Sequence, residues 1–368
     1  MNKNKGVYFF IGTTAELIKV FPVMRELDRS DIEYSIIASG QNPIASAELW
    51  DLTEKTHSTI ELSNLPIKQS AIGLLLWFIS TLLKSIRPVR KILLQHPVNT
   101  RYLIVHGDTV STLMGAILGR LAGAKILHIE AGLRSFNWLK PFPEEICRVI
   151  VSRLTTVSFC PNEWAVQNLK DNNTIKVNTF QNTLLDSMRF VASLKVHSNL
   201  QTQLGEKYFI FIMHRQENLF DPMLLEKMIR LIIKKSNEMK CLFILHKPTR
   251  AALEKFNLIK LVSESQNIIT SPRLSYVAFT KILAGCDFIV TDGGSNQEES
   301  FYFGKPCCVL RTETERTEGI GHNVLLSKMD FHTIGDFLQK PSGWRKDPLI
   351  LQESPSSIIA KKIEALIN

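Results

Sequence analysis

The sequence lacks most of the short motifs that assign an enzyme to a common class. Its six cysteines are scattered, and none forms a CxxC pair or a Cys/His spacing suited to zinc. This pattern favours a reducing compartment and predicts no metal site. No GxGxxG or GxxxxGK[ST] motif is present, which argues against Rossmann dehydrogenases and P-loop nucleotide hydrolases.

Long apolar runs are also rare. The most apolar stretch, residues 71–83, has 13 residues, whereas a membrane-spanning helix needs about 20. We therefore expect no transmembrane segment. The start of the chain, Met1–Gly6, is polar and leads directly into a strand pattern, without the apolar core and cleavage site of a signal peptide. Together these features predict a cytoplasmic protein.

Charge is only mildly one-sided. The 368 residues include 44 Lys and Arg against 35 Asp and Glu, a net charge of +9, and 45% of residues are apolar. Such a chain is too apolar to be disordered. The positive excess indicates an anionic partner, but the cations are dispersed and no nucleic-acid motif appears, so nucleic acid is not expected. The length exceeds a single core of roughly 250–300 residues, which predicts two domains.

Short strand-like runs alternate with helical patterns along the chain, as in parallel sheets covered by helices on both faces. We predict an α/β fold with two doubly wound Rossmann-like domains, residues 1–185 and 186–368, facing each other across a cleft. The last helix, Pro355–Ile367, could pack on either domain, including back on the first. The predicted strands are Tyr8–Ile11, Tyr34–Ala38, Tyr102–His106, Lys125–Ile129, Val157–Cys160, Tyr208–Met213, Cys241–Leu245, Asn267–Ile269, Phe288–Thr291 and Pro306–Leu310.

Three carboxylates of the first half follow predicted strands, at the edge where open α/β sheets bind ligands. Asp108 and Glu130 come directly after strands, and Glu144 lies at a predicted helix start. Asp108 could simply cap a helix, and Glu144 could be an ordinary first-turn acid. Their convergence at one edge favours an acid/base site, because crowded carboxylates push their pKa values apart.

Glycine-containing turns before helices are the candidate phosphate sites. In the first half, Gly12–Glu16 either binds phosphate or is an ordinary turn with Thr14 as the N-cap. In the second half, the turn Asp292–Gly294 precedes a helix in which Glu298 or Glu299 could bind a ribose. His214 follows a strand, and a nearby loop supplies Arg311 and Arg316.

The order of these motifs resembles the non-hydrolysing UDP-N-acetylglucosamine 2-epimerase family over nearly the whole chain. The matching blocks are Gly12-Thr13…Glu16…Lys19, His106-Gly107-Asp108-Thr109, Glu130-Ala131-Gly132-Leu133-Arg134, Pro143-Glu144-Glu145…Arg148, His214-Arg215…Glu217-Asn218, Asp292-Gly293-Gly294…Gln297-Glu298-Glu299, Gly304-Lys305-Pro306 and Thr314-Glu315-Arg316. The resemblance implies the glycosyltransferase-B architecture, with the nucleotide held mainly by the C-terminal domain.

The resemblance also implies a reaction: UDP leaves a UDP-N-acetylglucosamine-type sugar to give 2-acetamidoglucal, and then adds back after the C2 proton returns on the other face. Neither metal nor redox cofactor is implied, and the product would supply bacterial surface polysaccharide. The implied catalytic residues are Asp108, Glu130, Glu144 and His214. The implied substrate-binding residues are Thr14, Lys19, Arg148, His246, Gly293, Gly294, Ser295, Glu299 and Arg316.

The chain departs from the family pattern at three places. Thr14 stands where the family usually has a phosphate-binding arginine, and Asp292-Gly293-Gly294-Ser295 replaces Asp-Ser-Gly-Gly. Gly40-Gln41-Asn42 replaces Gly-Gln-His in a region that serves a regulatory UDP-sugar site in some bacterial members. We therefore do not expect allosteric activation by substrate, and a related UDP-2-acetamido sugar is an alternative substrate.

A glycosyltransferase acting on a surface or lipid-linked glycan is the rival function, because it uses the same architecture. The apolar segment Leu74–Leu83 is followed by Lys84, Arg87, Arg90 and Lys91, and this pattern suits a peripheral membrane helix. The favoured interpretation is a homodimer-interface helix, which occupies about this position in the resembling family. The three carboxylates favour the epimerase, because a transferase needs no acid/base set around C2.

Overall fold

The computed structural model describes residues 5–44, 48–53, 55, 57–63, 70–138, 142–195, 199–314 and 316–368. The chain divides into two compact units. Unit 1 comprises Met1–Ser187 together with Gln352–Asn368, and unit 2 comprises Met188–Leu351. The last segment of the chain therefore belongs to unit 1.

Unit 1 contains a seven-stranded sheet in the order β3-β2-β1-β4-β5-β6-β7, in which every pairing is parallel. Its strands are β1 (Gly6–Ile11), β2 (Ser35–Ala38), β3 (Thr59–Glu61), β4 (Arg101–His106), β5 (Lys125–Ile129), β6 (Val157–Cys160) and β7 (Ile175–Asn178). The helices that begin in its first segment, Met1–Ser187, are α1 (Thr14–Arg29), α2 (Ala71–Leu93), α3 (Val110–Leu121), α4 (Glu144–Leu154), α5 (Glu163–Gln167) and α6 (Leu184–Ser193).

Unit 2 contains a six-stranded parallel sheet in the order β10-β9-β8-β11-β12-β13. Its strands are β8 (Tyr208–Ile212), β9 (Lys240–Ile244), β10 (Ile268–Ser271), β11 (Phe288–Thr291), β12 (Cys307–Val309) and β13 (Val324–Leu326). Its helices are α7 (Asn199–Leu204), α8 (Gln216–Leu219), α9 (Pro222–Ser236), α10 (Lys247–Lys255), α11 (Ile259–Ser263), α12 (Tyr276–Gly285), α13 (Gly294–Tyr302) and α14 (Phe331–Gln339), and α15 (Pro355–Ile367) returns the chain to unit 1.

The prediction of two doubly wound parallel sheets is confirmed. The central strands are continuous apolar runs because helices cover both of their faces, and β1, β4 and β8 are buried along their whole length. The sequence patterns missed β3, β7 and β13. These three lie at sheet edges, and each is a short strand with partly exposed residues, so none carries a fully buried apolar run.

Two details of the helices correct the sequence-based expectations. Thr13, not Thr14, caps α1, and Thr109, not Asp108, caps α3. The apolar run 71–83 continues through its basic end to form the 23-residue helix α2. The inference that this segment is too short to cross a membrane was therefore wrong. Within the described residues, α2 is the one helix that is long and apolar enough to do so, by length and composition only.

Candidate active site

The carboxyl edge of the unit 1 sheet carries two of the predicted catalytic carboxylates. Strands β4 and β5 are neighbours, and their register pairs His106 with Ile129. Asp108 lies two residues beyond the end of β4, and Glu130 lies one residue beyond the end of β5. Parallel pairing therefore brings both carboxylates to adjacent strand ends, as the sequence predicts.

Glu130 is held by two basic side chains. Lys19 Nζ lies 2.8 Å from both carboxylate oxygens, and His106 Nε2 lies 3.0 Å from Oε2. The Glu130 side chain is 8% exposed, and its φ of +64° is in the left-handed region that non-glycine residues rarely adopt. Such strain clusters at functional sites, where the surrounding structure holds the residue in place.

Asp108 forms an ion pair with Arg148, on the second turn of α4. Arg148 Nε donates to Oδ2 at 2.9 Å, and Nη2 lies 2.6 Å from the same oxygen. The Asp108 side chain remains 30% exposed, so the carboxylate is both fixed in orientation and accessible to a ligand. Arg148, predicted to bind substrate, is thus first of all the partner of a predicted catalytic residue.

Glu144 is the first residue of α4 and is half-buried. The pKa of the Cys147 thiol, on the same helix, is raised to about 12, chiefly by burial and then by the negative charges of Asp108 and Glu144. Glu144 lies one helical turn before Arg148, which pairs with Asp108. The start of α4, which carries the third predicted carboxylate, therefore lies beside the end of β4.

The turn between β1 and α1 is organised by Glu16. Its Oε2 accepts the Gly12 and Thr13 amides at 2.6 and 3.2 Å, and its Oε1 accepts the Thr109 hydroxyl at 2.5 Å. Burial raises the pKa of this carboxyl, although these hydrogen bonds oppose the shift. Because Glu16 already bonds two amides of the turn, a phosphate would not find both of them available. Thr14 is half-buried at the first position of α1.

In unit 2, Asp292 follows β11 and organises the turn after β8. It is fully buried and accepts from the amides of His214 and Arg215 and from Asn218 Nδ2, at 2.9–3.1 Å. Burial alone would raise its pKa, but His214 and these donors outweigh that effect and lower it. The His214 ring is fixed in turn, because its Nδ1 lies 3.0 Å from Oδ1 of Asp292.

The predicted substrate ligand His246 stacks on His214. The ring centroids are 4.8 Å apart and the planes differ by 18°. The pKa of His246 is lowered to about 4, first by burial and then by the neighbouring His214 and Arg273. His246 is therefore neutral at pH 7, and its ring packs beside His214 without a charge of its own.

The predicted diphosphate turn lies at the N-terminus of α13. Gly293 caps the helix and Gly294 is its first residue. A Cβ at Gly293 would lie 2.4 Å from Asn296 Oδ1, so a side chain there would require the Asn296 side chain to move. Ser295 is exposed, and the buried Glu299 accepts from Asn296 Nδ2 at 3.1 Å.

The remaining predicted ligand, Arg316, is anchored to the same helix. Its Nη1 forms an ion pair with the buried Glu298, which also accepts the Tyr302 hydroxyl at 2.9 Å. Glu315, the middle residue of this motif, lies outside the described residues. Among the described residues, no group of three or more His, Cys, Asp or Glu side chains is placed to hold a metal ion.

The sequence patterns did not identify residues that hold other site residues in place by hydrogen bonds or ion pairs. His106, Glu145 and Asp292 were quoted within motifs but were not assigned to the site. His106 could have been found as the last residue of a strand that ends beside Asp108. Glu145 and Asp292 gave no separate signal, because their roles depend on hydrogen bonds that form only in the folded chain.

Comparison with known proteins adds an independent observation. The sequence profile described as UDP-N-acetylglucosamine 2-epimerase matches residues 25–340. A UDP-N-acetylglucosamine 2-epimerase of Methanococcus maripaludis is 30% identical over 325 residues, which cover 85% of each chain. A UDP-2,3-diacetamido-2,3-dideoxy-D-glucuronate 2-epimerase of Pseudomonas aeruginosa is 33% identical over 231 residues, 61% of this chain and 63% of that one.

The fold is also similar to solved structures. The crystal structure of Methanocaldococcus jannaschii UDP-GlcNAc 2-epimerase in complex with UDP-GlcNAc and UDP superposes with a TM-score of 0.76 and 23% sequence identity. The match covers 98% of this chain and 99% of that chain. At this identity the likeness shows the fold alone, which is the two-domain glycosyltransferase-B architecture expected from the sequence.

Proposed function

Because the chain belongs to the UDP-N-acetylglucosamine 2-epimerase family, we propose that it inverts C2 of UDP-N-acetylglucosamine or of a related UDP-2-acetamido sugar. The observation that carries this proposal is the pair Asp108 and Glu130. These carboxylates follow adjacent strands, and each is oriented by its own basic partner. Two fixed carboxylates at one edge are what proton removal and return require.

The proposed reaction is an elimination followed by an addition. A carboxylate takes the C2 proton, the C1–O bond breaks, UDP departs with the bonding electron pair, and a C1=C2 double bond forms in 2-acetamidoglucal. A carboxylic acid then returns a proton to the opposite face of C2, and UDP adds back to C1. We assign the two proton transfers to Asp108, Glu130 and Glu144 as a set.

We propose that unit 2 binds the UDP part of the substrate. The amides at the start of α13 and the dipole of this helix suit a diphosphate, with Gly293, Gly294 and Ser295 forming the turn. His214 would stabilise the departing diphosphate, because Asp292 holds its ring by Nδ1. His246 supports the His214 ring, while Glu299 and Arg316 would contact the nucleoside.

The site residues indicate the reaction more narrowly than they indicate which UDP-sugar is the substrate. Thr14 occupies the position of a family arginine, so a charge-assisted contact worth roughly 1.5–3 kcal/mol is replaced by a neutral one. The diacetamido-glucuronate 2-epimerase of Pseudomonas aeruginosa shows that relatives include enzymes named for other 2-acetamido sugars. We therefore propose UDP-2-acetamido sugars as the substrate class, with the product feeding surface polysaccharide synthesis.

Proton NMR in heavy water tests this proposal. The purified protein, incubated with UDP-N-acetylglucosamine and with a UDP-2,3-diacetamido sugar, should incorporate deuterium at C2 of at least one of them. Glu130→Gln should lower the exchange rate by about 10²-fold or more, while UDP affinity changes little. Absence of deuterium at C2 of both sugars would contradict the proposal, and transfer of the sugar to an acceptor would favour the glycosyltransferase.

We further propose that the protein is a cytoplasmic homodimer. One face of α2 packs within unit 1 through the buried Trp77 and Val89, while its opposite face exposes an apolar stripe. The stripe consists of Ile72, Leu75, Leu76, Ile79 and Leu83. A two-fold axis would place the same stripe of a second copy against it and remove both from water.

A further inference from the structure

The buried carboxylate of Glu145 is the acceptor on which the turn after β5 and the start of α4 converge. The side chain is 1% exposed. Its Oε1 accepts from Arg134 Nε at 2.6 Å and from the Phe136 amide at 3.2 Å. Its Oε2 accepts from the Ser135 amide at 2.9 Å and from Arg148 Nη1 at 3.3 Å. Both oxygens therefore have two donors each.

Arg148 connects this carboxylate to the cluster described above. Its guanidinium presents Nε and Nη2 to Asp108, at 2.9 and 2.6 Å, and Nη1 to Glu145. A guanidinium is planar and rigid, so a contact at Nη1 restricts the directions in which Nε and Nη2 can face Asp108. Glu145 thus helps to orient Arg148 towards Asp108.

An ordinary first-turn acid would not need this arrangement. A carboxylate near a helix N-terminus is stabilised by the free amides and the dipole of its own helix. The four donors to Glu145 described above belong instead to the preceding turn and to two guanidinium groups. These donors outweigh burial and lower the pKa of Glu145, so the side chain is an anion at neutral pH.

We propose that Glu145 is a positioning residue for Asp108: it orients the Arg148 guanidinium, and through it the carboxylate that takes part in inversion at C2. The catalytic part of this inference rests on the proposed function, whereas the orientation of Arg148 does not. Glu145 itself touches none of the reacting atoms. Its proposed effect on Asp108 passes through Arg148, while its bonds to Arg134, Ser135 and Phe136 fix the turn after β5.

The test compares Glu145→Gln with the matched control Glu163→Gln. Glu163 is a first-turn acid of α5, after the next strand of the same sheet, and it is exposed. Glu145→Gln should lower C2 exchange at saturating UDP-sugar about 10- to 100-fold, because misplacement of about 1 Å can cost 10²-fold. UDP affinity, measured by calorimetry, should stay within about twofold, and Glu163→Gln should match the parent in both measurements.

A double-variant cycle separates positioning from general destabilisation. In an Arg148→Lys background, Glu145→Gln should lower exchange by less than about threefold, because the orienting path is already broken. Equal losses in both backgrounds would overturn the proposal. Rates are compared per UDP-binding site, so a fraction of unfolded protein does not imitate a catalytic effect.

A spectroscopic readout tests the geometry without any turnover. The Arg148 Nε–Hε resonance of protein with ¹⁵N-labelled arginine is identified by its loss in Arg148→Lys. Its chemical shift should change in Glu145→Gln and stay the same in Glu163→Gln.

An unchanged chemical shift in Glu145→Gln overturns the inference, regardless of the rate of C2 exchange. A shifted resonance with undiminished exchange overturns its catalytic part. A parent that exchanges no deuterium overturns the proposed function, while the orientation of Arg148 is still decided by the resonance.

Discussion

The buried His128 holds the turn that leads from β4 to Asp108. His128 Nε2 lies 2.7 Å from the Gly107 carbonyl oxygen, which requires a protonated Nε2 as the donor. Burial lowers the pKa of this ring to about 4, so His128 is neutral at pH 7. The neutral ring holds the turn between β4 and Asp108 by a hydrogen bond and adds no positive charge beside the carboxylates.

The low pKa of His128 predicts a pH-dependent stability. Between pH 6.5 and about pH 4 the unfolded chain binds a proton at this ring and the folded chain does not. The free energy of unfolding should therefore fall as the pH falls through this window, by up to roughly 3 kcal/mol from this group. Urea unfolding at pH 7 and pH 4.5 should show a smaller loss in His128→Gln than in the parent.

The exposed His332 provides the control for this measurement. It lies on α14 with an exposed side chain, so His332→Gln should lose as much stability as the parent between the two pH values. An equal loss in His128→Gln and the parent would show that the His128 ring contributes nothing to the pH dependence.

The positions of the proposed catalytic carboxylates Asp108 and Glu130 could be predicted from the sequence, but their partners could not. Asp108 and Glu130 each follow an apolar strand. Because these two strands are parallel neighbours, both residues lie at the carboxyl edge of the sheet. The pairs Lys19–Glu130 and Arg148–Asp108 join residues 111 and 40 positions apart. No local pattern encodes such distances, because they depend on how helices pack on the sheet.

At the level of secondary structure, α2 is the feature that the strand–helix pattern explains least. Its buried side packs in the unit 1 core, as the sequence of a surface helix requires. Its exposed stripe is apolar in the first half, and its second half carries Lys84, Arg87, Arg90 and Lys91. The exposed apolar part contributes to the hydropathy that makes this helix long and apolar enough to cross a membrane by length and composition.

The dimer proposal predicts that a charge in the stripe dissociates the protein. Leu76 is 62% exposed, so Leu76→Glu should leave the folded protomer intact. The parent should have the mass of two chains by light scattering at micromolar concentration, and Leu76→Glu the mass of one, because two buried carboxylates would face each other. Met223→Glu, at an even more exposed apolar position on α9, should remain a dimer.

Other results would point to different partners for α2. A parent with the mass of one chain would contradict the dimer proposal. If this monomer also sedimented with anionic vesicles at low salt, and Leu76→Glu did not, the stripe and its basic end would be a membrane-binding surface.

At the scale of the whole molecule, the chain leaves unit 1, forms unit 2 and returns to complete unit 1. The returning helix α15 is fixed at both ends. The Ser356 amide donates to Asp186 at 2.8 Å, and the Tyr102 hydroxyl donates to the Leu366 carbonyl at 2.5 Å. Tyr102 belongs to β4, the strand that leads to Asp108. The end of the sequence therefore supports the strand that carries the proposed chemistry.

This connectivity predicts that damage to α15 affects the proposed chemistry of unit 1 but not UDP binding. Ile363 is fully buried on α15, and Ile363→Asp should lower the stability of unit 1 by about 3 kcal/mol or more, because a carboxylate would enter an apolar site. Urea unfolding should show an earlier transition, and C2 exchange should disappear at a urea concentration that the parent tolerates. UDP affinity in the absence of urea should stay close to that of the parent, since the proposed nucleotide residues belong to unit 2.

Ala365→Asp, at an exposed position of the same helix, should behave like the parent. Loss of UDP binding and exchange together in Ile363→Asp would contradict this division, because it would show that the two units unfold as one.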